Sequence, residues 1–206
     1  MFQSLLDRLR HPASRARELA RLRSLFAQMP AADDPGASPE EAQLASELRR
    51  LREELSRALG EVQSCRGCAR GHPLPFGRWT GGHCCGGRTE NLFTEHEVAA
   101  LKLGGTTPAQ LTPPRSDHCG CTFRGPTGCT LQPGDRPNVC VRYFCAELTE
   151  ELRGRGDFAD LRALCTKLDQ TFDRFVAVRS ARLSDEELAR LISGSRTGGG
   201  MANDGP

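Results

Sequence analysis

The sequence predicts a mainly α-helical protein in which helices flank a small, irregular, cysteine-rich metal-binding module. Three observations predict this fold class. Apolar residues recur at three- and four-residue steps in the N-terminal and C-terminal parts of the chain, which is the period of an amphipathic helix. Nine of the ten cysteines lie between Cys65 and Cys145. The same segment is rich in glycine and proline, so metal ligation is expected to hold it together.

Residues 1–64 are predicted to form an αα-hairpin. The apolar pattern of the first helix is interrupted at Pro12 and resumes after it. The turn-forming segment 29–39 separates this helix from a second one. The second helix carries a narrow apolar seam: Leu44, Leu48, Leu51, Leu55, Leu59 and Val62. We prefer packing of this seam on the first or the C-terminal helix to a short coiled coil with a partner, because the heptad pattern is brief. Residues 1 to 59 are expected to be dispensable for metal binding.

Residues 65–145 are predicted to form the metal-binding module. Of these 81 residues, 21 are glycine or proline and only 15 are Leu, Val, Phe, Trp or Tyr. Binding of structural zinc contributes an apparent free energy of about 10–16 kcal/mol in small peptides. This is as large as the net free energy of unfolding of a whole domain. Metal binding can therefore replace the missing hydrophobic core. One helix is expected from about Thr94 to Leu103, with Thr94 as its N-cap and Glu97 completing a capping box.

The cysteine spacing itself indicates metal ligation. Closely spaced pairs let one turn aim two sulfurs at one ion, whereas adjacent cysteines are rarely joined by an ordinary disulfide. The nine cysteines are set out as Cys65-Arg-Gly-Cys68, Cys84-Cys85, Cys119-Gly-Cys121, Cys129, Cys140 and Cys145. A disulfide framework would require export, but Asp7 and Arg8 come before any apolar stretch typical of a signal sequence. We therefore expect a cytoplasmic protein with metal-bound thiolates.

Residues 146–193 are predicted to form C-terminal helices that pack on the module or on the hairpin. Their apolar stripe consists of Phe158, Leu161, Cys165, Leu168, Phe172 and Phe175. Cys165 lies on this stripe where a small buried hydrophobe would serve. A capping-box pattern at Ser184 predicts that a new short helix begins there. The glycine-rich residues 194–206 are expected to be a disordered tail.

The charge distribution gives little support to a role in nucleic-acid binding. The chain has 28 basic and 26 acidic residues, a formal net charge of +2. Ten arginines and ten acids balance each other up to Ser64, so phosphate would meet no concentrated positive charge there. No hydrophobic run approaches the length of a membrane span. We expect no clear nucleic-acid partner and no membrane, whereas a protein partner or self-association through the helices stays open.

Several motifs follow one another in the cysteine-rich segment: Cys84-Cys85, the helix at 94–103, Cys121-Thr122-Phe123, Gly128-Cys129, and Arg136-Pro137-Asn138-Val139-Cys140 with Tyr143 and Cys145. This string resembles the YkgJ-like cysteine-cluster family, which is named for zinc or iron chelation and has a Cys-x-x-Cys-x-x-Cys-Cys signature. The resemblance covers roughly residues 65–145. One departure is that 15 residues, 69–83, separate Cys68 from Cys84 where the family usually has two.

The resemblance implies eight candidate metal ligands: Cys65, Cys68, Cys84, Cys85, Cys121, Cys129, Cys140 and Cys145. Eight thiolates suit two four-cysteine sites, or one four-ligand cluster with structural cysteines around it. The same ligands bind Zn²⁺ or an iron–sulfur cluster. The family includes a module found in flagellin lysine methylases, where an iron–sulfur cluster is implied, and this favours iron slightly. The string omits Cys119 and Cys165, so serine at these positions should preserve the metal.

Other polar residues are weaker candidates. His83 and His118 adjoin cysteines and could ligate or orient a ligand, although exposed or hydrogen-bonded roles are preferred. Arg136 and Arg142 could donate to cluster sulfur, bind an anion or form surface ion pairs. The sequence shows no nucleophile elbow, cofactor loop or radical-SAM spacing. We therefore expect a non-catalytic or accessory metal-binding protein; the alternative is an iron–sulfur enzyme or electron carrier, for example part of a protein-modifying system.

Overall fold

The computed structural model describes residues 15–32, 37–64, 92–113, 121–125 and 128–197. These residues are mainly helical, as the sequence predicts. The helices are α1 (Arg15–Gln28), α2 (Pro39–Leu59), α3 (Glu95–Leu103), α4 (Asn138–Arg142), α5 (Ala146–Arg153) and α6 (Phe158–Thr197). Between α3 and α4 lie an antiparallel ribbon of two short strands, β1 (Arg124–Gly125) and β2 (Gly128–Cys129), and a 3-10 turn (Pro133–Asp135).

Helix α2 lies at the centre of the fold. Ser38 caps its first turn by accepting a hydrogen bond from the Glu41 amide at 3.4 Å. Its seam residues Leu48, Leu51 and Leu55 are buried. The helix packs along α6 in the antiparallel sense, and it also contacts α3, the 3-10 turn and α4. The apolar seam is thus covered inside the molecule.

Helix α1 packs chiefly against α3. The Lys102 ammonium donates to the backbone carbonyls of Phe26 and Met29 at the C-terminal end of α1. It also lies 5.6 Å from the centroid of the Phe26 ring. A cation there suits the exposed carbonyls that end a helix. Lys102 therefore fixes the C-terminal end of α1 on α3.

Helix α3 begins where the sequence predicts, but one of its predicted capping contacts is wrong. Thr94 is the N-cap and accepts from the Glu97 amide at 3.3 Å. Glu97 does not complete a capping box by reaching back to Thr94. Its carboxylate is buried instead and accepts from the Asn138 amide and the Arg52 guanidinium. These tertiary donors hold the side chain away from the helix terminus.

Helix α6 is one continuous helix of 40 residues, so the predicted new start at Ser184 is wrong. The Ser184 hydroxyl donates to the Ser180 carbonyl inside the helix. Arg182 bridges this region to α2 by donating to both carboxylate oxygens of Glu41. The helix extends to Thr197, past the predicted start of the tail, and residues 198–206 lie outside the described residues. Across the described part of the chain, α6 included, helices fall short of the apolar length that a membrane span needs.

One hydrophobic core joins the N-terminal, cysteine-rich and C-terminal parts of the chain. Its buried members include Phe26 of α1, Leu51 of α2, Leu101 of α3, Phe123 beside the ribbon, Val141 of α4, Leu152 of α5 and Phe175 of α6. That metal binding survives deletion of residues 1 to 59 stays a prediction, but the deletion would alter this core. Deleting them would remove α2 from the centre of the core.

Candidate metal centre

Four of the eight predicted ligands lie among the described residues: Cys121, Cys129, Cys140 and Cys145. All four belong to the hydrophobic core or pack against it. The other predicted ligands lie outside the described residues: Cys65, Cys68, Cys84 and Cys85. Cys119, His83 and His118 also lie outside them. The structure therefore describes the surroundings of the last four of the eight predicted ligands.

Cys121 and Cys129 flank the short β-ribbon in sequence, on the side where β1 begins and β2 ends. Cys121 is buried two residues before Phe123, and Cys129 ends β2, where it pairs with Arg124 across the ribbon. The Phe123 ring is fully buried and its centroid lies 5.4 Å from that of Phe93. The Thr130 amide closes the hairpin on the Phe123 carbonyl at 2.9 Å. A packed aromatic residue thus anchors the ribbon that carries both cysteines.

Cys140 and Cys145 bracket the end of α4 and the start of α5. Cys140 lies in the first turn of α4, where its amide donates to the Pro137 carbonyl at 3.0 Å. Cys145 is the N-cap residue of α5, and its carbonyl accepts from the Thr149 amide at 2.8 Å. Regular backbone hydrogen bonds therefore hold both cysteines, although neighbouring chain is irregular.

A buried polar network holds the segment that leads into Cys140. Arg52 of α2 is fully buried, and its Nε donates to the Asn138 side-chain oxygen at 2.8 Å. Its Nη2 donates to Glu97 Oε2 at 3.1 Å. The other carboxylate oxygen, Glu97 Oε1, accepts from the Asn138 amide at 2.9 Å. Three separate elements, α2, α3 and α4, therefore meet at one ion pair.

A second polar network fixes the 3-10 turn just before α4. The fully buried Asp135 accepts from Arg49 at 3.0 Å and from the Thr106 hydroxyl at 2.8 Å. Gly134 lies so close to α2 that a Cβ there would approach Glu53 Oε1 to 2.6 Å and Arg49 Cγ to 3.0 Å. A side chain at this position would therefore require the Glu53 carboxylate and the Arg49 stem to shift.

Burial dominates the electrostatics of the Arg52–Glu97 pair. It raises the pKa of the Glu97 carboxyl to about 7, although Arg52 and the Asn138 amide act in the opposite direction. Burial likewise lowers the pKa of Arg52, while the negative charge of Glu97 opposes this and Arg49 reinforces it. Negative charges at Asp135 and Cys140 also raise the pKa of Arg52.

The two arginines singled out by the sequence have structural contacts. Arg136 donates from Nε to the Leu131 carbonyl at 2.8 Å. Arg142 forms an ion pair with Asp169 of α6 at 2.9 Å, and both side chains are largely exposed. Of the roles considered for Arg142, which are donation to cluster sulfur, anion binding and a surface ion pair, the structure shows the surface ion pair. Arg136 ties the chain before α4 back to the end of the ribbon.

Cys165, the predicted spectator, lies on the buried face of α6. Its side chain is buried, and its sulfur lies 3.9 Å from the Arg142 carbonyl. Burial raises the pKa of its thiol. A thiol in such a place packs as a small hydrophobe and is a poor source of thiolate. This agrees with its predicted packing role.

Within the five described ranges, no three His, Cys, Asp or Glu side chains form a group that could hold a metal ion. The eight-cysteine ligand set thus stays a prediction. The buried ion pair between Arg52 and Glu97 was not predicted from the sequence. A signal for Arg52 was present, since it lies four residues after Leu48 and three before Leu55, on the apolar seam. An arginine at such a position is buried only when it is paired.

Comparisons with protein-family models, with curated proteins and with solved structures found no match to this chain.

Proposed function

We propose that this chain is a metal-binding protein whose clustered cysteines hold an iron–sulfur cluster or Zn²⁺, in a non-catalytic or accessory role. The observation that carries the proposal is the order and spacing of the cysteines between Cys65 and Cys145. Of the described residues, Cys121, Cys129, Cys140 and Cys145 would supply ligands. The remaining ligands would come from Cys65, Cys68, Cys84 and Cys85.

The residues near Cys140 suit an anionic thiolate–metal group. Thiolates are the ligands that zinc and iron–sulfur clusters share. Two buried N–H donors, Arg52 Nη1 and Asn138 Nδ2, lack an acceptor within the described part of the chain. Buried donors are expected to have partners, and a metal-bound sulfur is an acceptor for them. The donor set thus fits the proposed group.

The choice of metal decides what chemistry the group would supply. Zinc would act as a closed structural cross-link, whereas an iron–sulfur cluster would supply a one-electron redox centre. Iron is slightly favoured because of the family resemblance described above. The preference for an accessory role is supported by three of the buried acids, Glu41, Glu97 and Asp135, each of which is paired with an arginine that joins two elements.

The test is the elemental content of the full-length protein purified without oxygen. A brown product with iron and acid-labile sulfide would identify an iron–sulfur protein, and a colourless product with stoichiometric zinc would identify a zinc protein. Either result supports metal binding by the cysteines if thiol-blocking reagents release the metal. A chain with neither metal, purified reduced and folded, would overturn the proposal.

A further inference from the structure

We propose that a groove between α1 and the start of α3 binds residues 2–11 of the same chain, which fold back along α1 as an amphipathic helix. We call these residues the N-terminal arm. They lie outside the described residues. The inference concerns an intramolecular interaction surface, so it does not depend on metal binding.

The groove has a volume of about 470 Å³ and two walls, one from α1 and one from residues 93–95 at the start of α3. Its apolar lining consists of Leu22 and Phe93, which are buried, and Leu25, which is half-buried. Polar side chains line the rest of the groove, and Arg21 is exposed among them. Apolar grooves with polar borders are typical binding sites for amphipathic helices. The groove therefore fits a helix that has one apolar face.

The N-terminal arm has the sequence pattern of such a helix. Its large apolar residues recur at three- and four-residue steps and share one helix face: Phe2, Leu5, Leu6 and Leu9. Pro12 disfavours helical backbone at the residue before it, so a helix formed by the arm ends near His11. Residues 12–14 then remain before α1 begins at Arg15. A loop of about two to five residues is enough to join two antiparallel helices.

The length of the arm matches that of the groove. Along α1 the lining residues run from Glu18 to Gln28, a distance of about 15 Å. The arm would also span about 15 Å as a helix. The groove starts about one helical turn after Arg15. A chain that reverses its direction at residues 12–14 therefore brings the arm alongside the groove.

The charges of the arm and of the groove are complementary. Glu18 lines the groove from the α1 wall, and Glu95 lines it from the α3 wall. In a helical arm, Arg8 and Arg10 lie on opposite sides of the apolar face, whereas Asp7 lies on the face turned away from it. Each arginine can therefore approach the acid of one wall. The arm thus supplies both the apolar face and the basic borders that the groove selects.

The experiment measures how fast trypsin cleaves purified full-length protein after Arg8 and Arg10, with mass spectrometry of the released peptides. Cleavage of a bound segment follows the population of its open form when closing is fast. A synthetic peptide of residues 1–14 gives the rate for an unbound arm. Arg52 is fully buried in α2, so cleavage after it in the same digest reports unfolding of the whole protein.

Two variants place a charge in the proposed contact, and each has a matched control. Leu5→Asp changes the apolar face of the arm, and Ser4→Asp adds the same charge on its opposite face. Leu25→Asp changes the lining of the groove. Ala20→Asp is its control, because Ala20 is exposed on α1 outside the lining of the groove.

We expect cleavage of the arm to be at least about 10-fold slower in the wild type than in the peptide, and about 10-fold faster in Leu5→Asp and Leu25→Asp than in their controls. Cleavage after Arg52 should stay unchanged. Equal rates in test and control variants, or equal rates in the wild type and the peptide, would overturn the inference. Protection that rises with protein concentration would also overturn it, because the arm would then bind a second copy. If Leu25→Asp fails to fold, the two arm variants decide by the same criteria.

Discussion

The Arg52 guanidinium donates to the side chain of Asn138 at 2.8 Å and so joins α2 to the start of α4 across 86 residues of sequence. Asn138 lies two residues before Cys140, and Glu97 of α3 holds both partners of this contact. The helix that the sequence assigns to a separate hairpin therefore supports the segment that carries predicted metal ligands. This relationship leads to the first two predictions.

Arg52→Met should destabilise the protein strongly because it leaves Glu97 buried without its cation. Breaking a buried pair by removing one partner typically costs about 3–5 kcal/mol. Arg52→Met with Glu97→Met should recover a large part of that loss, since no unpaired charge remains. Urea denaturation followed by circular dichroism measures both. A double variant less stable than the single variant would contradict this account of the pair.

The free energy of unfolding should fall as the pH rises through about 7. Because the pKa of Glu97 is raised from 4.5 to about 7 in the folded state, its contribution is fully present below about pH 4.5 and is lost above pH 7. The size of this effect is on the order of 3 kcal/mol. Glu97→Gln should flatten this part of the pH profile, although the variant is less stable overall.

The control for this pH profile is Glu187→Gln, which changes the same charge on the exposed surface of α6. It should keep the wild-type slope between pH 5 and pH 8. Denaturation midpoints measured at several pH values compare the three proteins. A Glu97→Gln profile as steep as that of the wild type would show that another group causes the dependence.

Gly134→Ala should destabilise the protein by about 1–2 kcal/mol, because a new methyl group would press against Arg49 and Glu53 of α2. Gly154→Ala is the matched control. Its φ is −68°, and the nearest atom to a new Cβ is the Glu151 carbonyl oxygen at 3.4 Å. We expect the control to stay within about 0.5 kcal/mol of the wild type. Thermal unfolding of both variants provides the comparison, and equal losses would contradict the close packing at the 3-10 turn.

Truncation after Glu187 should leave the core intact. The large apolar side chains beyond it are mostly exposed: Leu188, Leu191 and Ile192 are 57%, 66% and 52% exposed. The free energy of unfolding should change by less than about 0.5 kcal/mol while helical circular dichroism declines.

Truncation after Arg174 is the contrasting variant. It removes the fully buried Phe175 and should cost about 3–5 kcal/mol or prevent folding. A large loss in the shorter truncation would place core contacts in the last turns of α6.

The sequence was informative where local chemistry decides the structure. Thr94 precedes α3 because its hydroxyl satisfies an amide of the first turn, and this requires only four consecutive residues. The seam of α2 and the stripe around Cys165 follow from helical periodicity, and their residues are buried or pack against the core. For such features, the neighbouring residues contain the whole physical cause.

The sequence was misleading where distant partners compete for a side chain. Glu97 fits a capping box, but Arg52 and the Asn138 amide offer it a buried site with two donors. Ser184 resembles a helix start, but Arg182 binds Glu41 in α2 and the surrounding chain continues as helix. Neither partner is a local neighbour, so local patterns could not reveal these outcomes.

The central claim is that the clustered cysteines bind a metal, and serine substitutions test it most directly. Metal content per chain is measured in oxygen-free preparations of wild type, Cys140→Ser, Cys145→Ser and Cys165→Ser. We predict stoichiometric iron or zinc in the wild type and in Cys165→Ser, and loss of metal in the other two variants, because serine is a poor, usually protonated ligand. Full loading of Cys140→Ser or of Cys145→Ser, or loss of metal in Cys165→Ser alone, would contradict the account.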